Sequence, residues 1–494
     1  MASNSGGSFD RVRELTHSQL IERALPSLAV SVARDGVILW EEGFGWADRA
    51  NRIAATPHTL YSLASISKPI TTTGLMILQE RGLLDLDRPI DDYLGDTKLT
   101  ARVGSATDAT VRRVANHTAG LPLHYQFFYV DQPHRPPPFD QTIRRYANLI
   151  TIPGERQQYS NLGYGLLDHV IARLSGQSYA EWMRREVFLP LGMTHASVDI
   201  APDLAPFQAI RYGADGISYP FYDFDHSGGS AVFCSAHDLV RFGMFHLKAH
   251  LDDQKAILSD ETIDSMQVNT AAPEEPKGYG VGWSINADEH GYRTVAHSGG
   301  MGGVNTHLLL FPAEQLAIVV LANACSDLPY IVAAEIAAAV LPTYAERLAA
   351  HRAENPPSVE QAQSSEPAFA PPPELLGDWH GTVRTYQGDI ALKIWFKESG
   401  DIHAQLGDQL KTLVNHAEWT KGALGGRMLG TIATEDATRR PHEVYFDLKL
   451  RDQLLNGAIY AVTPYQQGEG GAPDKRPGYA ISYWAELSRV AGDQ

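Results

Sequence analysis

Two alternating apolar runs, residues 28–34 and 37–43, flank Asp35-Gly36 near the start of the chain. Alternation on both sides of Asp-Gly predicts a β-hairpin, because a two-residue turn needs positive φ at both positions and these residues tolerate it. Spacings of three and four then recur at 70–81, 162–174 and 236–247, which predicts helices with one apolar face. Strand character returns at 280–285, 294–297, 306–311 and 316–321, and a helical pattern over 331–347 follows. An early hairpin, a helical middle and a late meander predict one discontinuous antiparallel sheet with helices packed on it, an α/β (α+β) fold.

The pattern breaks at 351–373, where six prolines sit among residues with little to bury. Such composition predicts a stiff, solvated connector. It divides the chain into a first domain over 1–350 and a second over 374–494. Short alternating runs in the tail, at 390–396, 444–450 and 480–487, are separated by turns and predict a small all-β sandwich or barrel. No internal repeat of solenoid period is present.

Composition narrows the classes. With 494 residues, 44% hydrophobic and 20% charged, the chain is globular material for two or three domains. The 41 basic and 58 acidic residues leave a net charge of −17. Coating nucleic acid requires clustered cations, so no nucleic-acid partner is expected. The apolar runs at 316–325 and 331–341 are short of the ~20 residues that span a bilayer, and no membrane insertion is expected. The first residues lack a basic segment followed by an apolar one, so the expectation is no signal peptide and a cytoplasmic protein. Two cysteines, Cys234 and Cys325, are too few for a disulfide framework and are expected as buried free thiols.

The chemistry lies in three short strings. Neither Gly-x-Ser-x-Gly nor His-Glu-x-x-His occurs, and His246 with His250 lacks a supporting carboxylate, which reads as a solvated helix face with no metal. Ser65-Ile-Ser-Lys68 is the only Ser-x-x-Lys and opens a predicted helix. A spacing of three puts Ser65 and Lys68 on one helix face, and the helix N-terminus favours negative charge developing beside Ser65. Lys68 can deprotonate the hydroxyl only if its own pKa falls far below the usual ~10.4. Tyr159-Ser-Asn161 follows a Pro153-Gly154 turn and can bring a phenol and a carboxamide into one cleft, for proton relay and for holding a carbonyl. A second Tyr-x-Asn, Tyr146-Ala-Asn148, lies in a helical pattern over 142–150 with Tyr146 packed inward, and is set aside. His297-Ser298-Gly299-Gly300 closes the strand pattern at 292–296, where the glycines admit close substrate approach. The N–H groups of Ser65 and Gly300 are then candidates for an oxyanion hole. A second copy of this string, His226-Ser-Gly-Gly, sits in an aromatic stretch without strand pattern and reads as a turn.

In order and spacing, Ser65-x-x-Lys68, Tyr159-x-Asn161 and His297-x-Gly299 resemble the serine β-lactamase and penicillin-binding-protein superfamily. The most similar branch is that of class C β-lactamases, D-alanyl-D-alanine carboxypeptidases, D-aminopeptidases and related esterases. Flanking residues agree, among them Tyr61-Ser-Leu-Ala-Ser, Val114-Ala-Asn-His-Thr-Ala-Gly-Leu-Pro and Ser235-Ala-His-Asp-Leu-Val-Arg-Phe242. The resemblance covers about residues 27–341, and the tail resembles by pattern the lipocalin-like barrels appended to some members. It implies acyl transfer without metal or organic cofactor. Ser65 would attack, Lys68 and Tyr159 would move the proton, and Asn161, His297, Ser298, Gly299 and Gly300 would bind substrate.

One departure bears on substrate. The chain has no Lys-Thr-Gly, and His297 stands where many relatives carry the lysine that attracts a carboxylate. Carboxylate attraction should therefore be weaker and dependent on pH. The reading favoured is a serine peptidase or amidase on small peptides, D-residues included. The alternatives are a carboxylesterase or acyltransferase of the same fold, and a catalytically silent sensor or scaffold, which the intact Ser65, Lys68 and Tyr159 set disfavours. The expected partner is a small-molecule or short-peptide substrate, and the tail is a candidate for binding a ligand, capping the cleft or mediating homo-oligomers. Aromatic stretches at 125–129 and 219–224 are expected as loops that either wall the pocket or pack on the core.

Overall fold

The computed structural model describes residues 9–355, 369–463 and 476–490. The predicted hairpin forms from strands Ser27–Arg34 and Val37–Asp48, with Asp35 and Gly36 at φ of 51° and 77° in the connecting turn. Strand Ser27–Arg34 is buried along nearly its whole length because it is central. The hairpin lies on one side of it, and strand Leu316–Ala322 pairs antiparallel on the other, with Leu28 opposite Ala322. Beyond that come Val304–Phe311, Tyr292–Met301, Ser284–Glu289 and Lys277–Tyr279, and Ile53–Ala54 pairs outside Val37–Asp48, which makes an eight-stranded sheet from the two ends of the first domain. Leu28, Val30 and Val32 face one layer, with helices Leu328–Val340 and Pro342–Glu354. Ala29 and Ala33 face the other, where helix Ala236–His246 packs closely enough that Gly243 lies against Ala317.

Three predicted elements differ from the observed ones. The single helix expected over 331–347 is two, because Pro342 has no N–H to donate and drives Leu341 to extended φ and ψ of −119° and 100°. The strand expected over 280–285 is split by a turn at Gly282, whose φ of 87° places it against Thr72. The helical pattern over 142–150 yields helix Phe139–Tyr146 and then a short strand Asn148–Leu149. His246 is also not on a solvated face, being buried and hydrogen-bonded to Thr73 Oγ1 at 2.9 Å. Neither cysteine is in a disulfide, and Cys234 is buried as expected while Cys325 is only half-buried.

The C-terminal strands, from Gly377–Thr385 to Tyr479–Arg489, form a nearly closed antiparallel barrel-like sheet. Its interior is filled by Trp379, Val383, Ile394, Phe446 and Tyr483, among others. Each such side chain contributes about 1.5–3 kcal/mol when fully buried. The two aromatic stretches expected as loops are in part strands. Tyr125–Tyr129 pairs with Tyr222–Phe224 and also with the barrel strand, Gln126 opposite Tyr479. Arg156–Asp447 at 2.6 Å, Arg451–Glu155 at 3.0 Å and Arg145–Asp436 at 3.0 Å tie the barrel to the first domain. Of the expected connector over 351–373, residues 351–354 end a helix, while 356–368 lie outside the described residues. Among the described residues no helix is long and apolar enough to cross a membrane.

Candidate active site

Ser65 sits in a tight turn, Ala64–Ile66, that feeds helix Ser67–Glu80. The turn is strained, with Ala64 at a φ of 48°, a conformation that costs an L-residue about 1–3 kcal/mol. Surrounding contacts hold it there. Leu63 N–H donates to the Val232 carbonyl at 2.9 Å, Val232 N–H donates to Ser67 Oγ at 3.0 Å, and Thr306 Oγ1 donates to the Leu63 carbonyl at 2.9 Å. The strained turn presents Ser65 at the end of a helix whose positive pole faces the same space.

Lys68 is fully buried and has no carboxylate partner among the described residues. Its Nζ donates to Asn161 Oδ1 at 2.8 Å and to the Gly229 carbonyl at 2.9 Å, and lies 3.1 Å from Ser65 Oγ. Burial pushes the Lys68 amine well below the ordinary lysine range. A neutral amine has two hydrogens and one lone pair. The two acceptors take the hydrogens, which leaves the lone pair for the Ser65 hydroxyl. The direction of this shift is the one that a base at Lys68 requires.

Tyr159 and Asn161 enter from a clamped segment. Ser160 caps helix Asn161–Ser175, its Oγ accepting from Gly163 N–H at 3.0 Å. His117, itself at a φ of 63°, accepts the Gln158 N–H on its carbonyl at 2.7 Å and the Ser160 N–H on Nδ1 at 3.1 Å. Its ring lies 4.3 Å from that of Tyr159. Burial, and then the nearby Lys68, push His117 well below the usual histidine range, so it is a neutral brace. Burial pushes the Tyr159 phenol up, opposed by its hydrogen bond with Ser65. At neutral pH the phenol keeps its proton, so Tyr159 is suited to donating and relaying while Lys68 accepts.

The third string lies inside strand Tyr292–Met301, not at its end. A Cβ on Gly299 would stand 2.0 Å from the Leu63 carbonyl and 2.4 Å from Thr306 Oγ1, so only glycine lets this strand meet the turn that carries Ser65. At Gly300 a Cβ would meet nothing within 4 Å. His297 is buried, and both ring nitrogens are engaged. Nδ1 donates to the Ser298 carbonyl at 2.7 Å, and Nε2 accepts from the Tyr279 hydroxyl at 2.7 Å. Burial, then Lys68, push His297 down to about 3, so near neutrality it supplies no cation for the pH-dependent carboxylate attraction anticipated from the string.

Ser65, Tyr159, Asn161 and Gly300 line one cavity of about 210 Å³. Tyr125 and Phe127 form part of its wall, and Met301, Thr463, Pro477 and Gly478 complete another part, so the barrel contributes directly to the cleft. Phe224 does not line it and packs edge-on against Phe127, with ring centroids 5.4 Å apart. Lys68, His297 and Gly299 lie behind this surface. A larger cavity of about 600 Å³ at one end of the barrel, beside Trp379 and Arg489, contains no comparable nucleophile and base. Three site residues were not singled out in the sequence. His117 stood only in a flanking string, Tyr279 fell one residue outside an expected strand, and His226 was set aside as the second copy of the histidine string, yet it lines the cleft.

The beta-lactamase family model matches residues 11–340. The chain belongs to the beta-lactamase family. Family membership makes it a serine-hydrolase-type enzyme. Among curated relatives, penicillin-binding protein 4* of Bacillus subtilis is 29% identical over 324 residues, 61% of this chain and 69% of that protein. Protein flp of Staphylococcus aureus is 25% identical over 326 residues, 65% of this chain and 64% of its own length. The match therefore spans about two thirds of these relatives. Among solved structures, the octameric penicillin-binding protein homologue from Pyrococcus abyssi aligns with a TM-score of 0.57 and 20% identity, over 97% of this chain and 99% of that one. SurE with D-Leu aligns with a TM-score of 0.58 and 20% identity, over 98% and 100%. A class C beta-lactamase aligns with a TM-score of 0.59 and 19% identity, over 68% and 98%. The beta-lactamase fold thus accounts for the first domain, and two neighbours extend the likeness over the barrel.

Proposed function

We propose that the protein is a serine amidase or peptidase that acts through an acyl-enzyme on Ser65 and accepts short, neutral substrates, D-residues included. The observation that carries this reading is the buried, carboxylate-free Lys68 amine 3.1 Å from Ser65 Oγ. Lys68 takes the Ser65 proton as Oγ bonds the substrate carbonyl carbon. Tyr159 gives its proton to the leaving nitrogen as the scissile bond breaks and takes back the proton held by Lys68, which returns both groups to their neutral forms. Asn161 holds the substrate carbonyl side, and the Ser65 and Gly300 N–H groups face the developing oxyanion. His297 acts as a support for its strand, and Ser298 and Gly299 shape that strand against the nucleophile turn. The D-residue element draws support from a neighbour of the same fold solved with D-Leu.

The described cleft residues include no lysine or arginine and no carboxylate. A free terminal carboxylate on the substrate would find no cation there, which favours blocked or internal amides over carboxypeptidase substrates. The same aromatic, uncharged wall suits short esters, so a carboxylesterase is the second reading. Turnover on D- and L-aminoacyl amides, linear peptides, short p-nitrophenyl esters and a chromogenic cephalosporin separates the two. Amides turned over with kcat/KM comparable to esters support the first reading, and esters alone support the second. An octameric neighbour supports a proposal that the chain self-associates, and light scattering of the full chain at two concentrations checks it: a single monomer mass at both counts against it.

A further inference from the structure

Beside the Ser65–Lys68 pair the cleft holds a second buried relay, on the string set aside as a turn. The Asp225 carboxylate accepts four hydrogen bonds: from His226 Nδ1 at 2.8 Å, His124 Nε2 at 2.8 Å, Gln126 Nε2 at 2.9 Å and Gln126 N–H at 3.2 Å. Burial alone would raise this carboxyl, but His124 and His226 beside it hold it well below the usual range. With Nδ1–H committed to Asp225, the acceptor lone pair of His226 is on Nε2, which lies 3.3 Å from Ser230 Oγ. Burial keeps the imidazole below the ordinary histidine value despite the carboxylate, so it is neutral and able to take a proton.

The placement is specific. His226 and Ser230 line the same cavity as Ser65, Tyr159 and Asn161. Between them, Gly229 gives its carbonyl to Lys68, and a Cβ there would stand 3.1 Å from His226 Cδ2 and 3.6 Å from Lys68 Nζ. The imidazole edge and the amine therefore flank one glycine. His297 offers no such nitrogen, since its Nε2 is held at 2.7 Å by Tyr279 and neither residue lines the cavity, whereas His226 Nε2 meets Ser230 Oγ at a longer 3.3 Å and both of those residues line it. His226 is the one imidazole among the described cleft residues.

We propose that His226, aligned by Asp225, is the base that activates the acyl-accepting water, with Ser230 holding that water; this rests on the acyl-enzyme reading above. The water O–H bond breaks and its proton goes to His226 Nε2, while the water oxygen bonds the acyl carbon. The tetrahedral adduct collapses with cleavage of the bond to Ser65 Oγ. The proton carried by His226 passes to the departing Ser65 oxygen, which restores the free hydroxyl and the neutral imidazole. The division of labour gives acylation to Lys68 and Tyr159, and deacylation to Asp225 and His226.

Burst kinetics on a p-nitrophenyl ester, with intact-protein mass after acid quench, test this in His226→Gln, Asp225→Asn and Ser230→Ala. In His226→Gln the expected result is a burst of one equivalent, a steady rate at least about 100-fold lower, and an acyl adduct accumulating on Ser65. Asp225→Asn should show the same pattern with a smaller loss, and Ser230→Ala the smallest. Parallel loss of burst rate and steady rate in His226→Gln, or normal turnover, overturns the assignment. Should the Gln variant fail to fold, Ser230→Ala decides, because deacylation unchanged relative to acylation in that variant also overturns it. Absence of any Ser65 adduct in the wild type overturns the acyl-enzyme reading itself, and the role of His226 with it.

Discussion

The chain contains His-Ser-Gly-Gly twice, and the two copies take unrelated structures. At 297–300 the string is extended, inside a ten-residue strand paired with Val304–Phe311. Its histidine is locked by Tyr279 and a backbone carbonyl, and Gly299 lies against the nucleophile turn. At 226–230 the same letters form a short helical turn, in which the Gly228 and Gly229 carbonyls accept from Thr71 and Lys68. Partners decide the difference. Alternating apolar neighbours and an adjacent strand extend the first copy, whereas Asp225 on one side and buried donors on the other curl the second. Four identical residues thus supply an extended strand against the Ser65 turn in one place and carbonyl acceptors for Thr71 and Lys68 in the other.

The largest way to break this comparison is Lys68→Met, since Lys68 donates to the turn copy and contacts Ser65 beside the strand copy. Turnover should fall by about 10²–10⁴-fold, measured as kcat on the best substrate of the screen. Next comes Gly299→Ala against Gly300→Ala. The first forces a Cβ to 2.0 Å from the Leu63 carbonyl and should lower the thermal midpoint by several degrees together with turnover. The second meets nothing within 4 Å and should leave the midpoint unchanged. Calorimetry on both variants checks the contrast.

The two copies also predict opposite pH slopes of stability. Asp168, which accepts the Gly228 N–H at 2.5 Å, is pushed up to about 8 by burial. From about pH 4 to 8 the unfolded chain releases this proton and the folded chain keeps it, so stability falls as pH rises. His297, pushed down to about 3, works the other way. Between about pH 3 and 6.5 the unfolded chain binds a proton that the folded chain refuses, so stability rises with pH. Urea midpoints from pH 4 to 9 should lose the falling component in Asp168→Asn and the rising one in His297→Asn. The smallest expected effect is that of Phe127→Leu, which reshapes the cleft wall. Relative rates on small and bulky acyl groups should shift by up to about tenfold with the thermal midpoint nearly constant, read from paired kcat/KM values.

Local signals carried much of this architecture. Asp35-Gly36 marked a real turn, the helix behind Ser65 began within three residues of its periodic pattern, and the two ends of the first domain do share one sheet. Ser65, Lys68, Tyr159 and Asn161 lie together, as the resemblance implied. What stayed hidden depended on distant partners. Strand Tyr222–Phe224 forms against Tyr125–Tyr129, which in turn pairs with a barrel strand beginning at Tyr479, and no local period records such pairing. The second histidine string is the turn its pattern implied, but its place at the cleft stayed hidden, because Asp225 beside it meets His124 and Gln126 across about a hundred positions. His117 likewise acts through a positive φ and a ring stack that its neighbours in sequence do not announce. The break at Pro342 was the exception, a local signal passed over in favour of an unbroken apolar period.

The most direct test of the central claim is stoichiometric labelling with a fluorophosphonate, followed by intact mass and peptide mapping. The wild type should gain one adduct, located on Ser65, with Lys68→Met labelling at least about 100-fold more slowly and Ser65→Ala not at all. Labelling of Ser65→Ala at the wild-type rate, or an adduct mapped to another residue, would contradict the assignment of Ser65 and Lys68 as nucleophile and base.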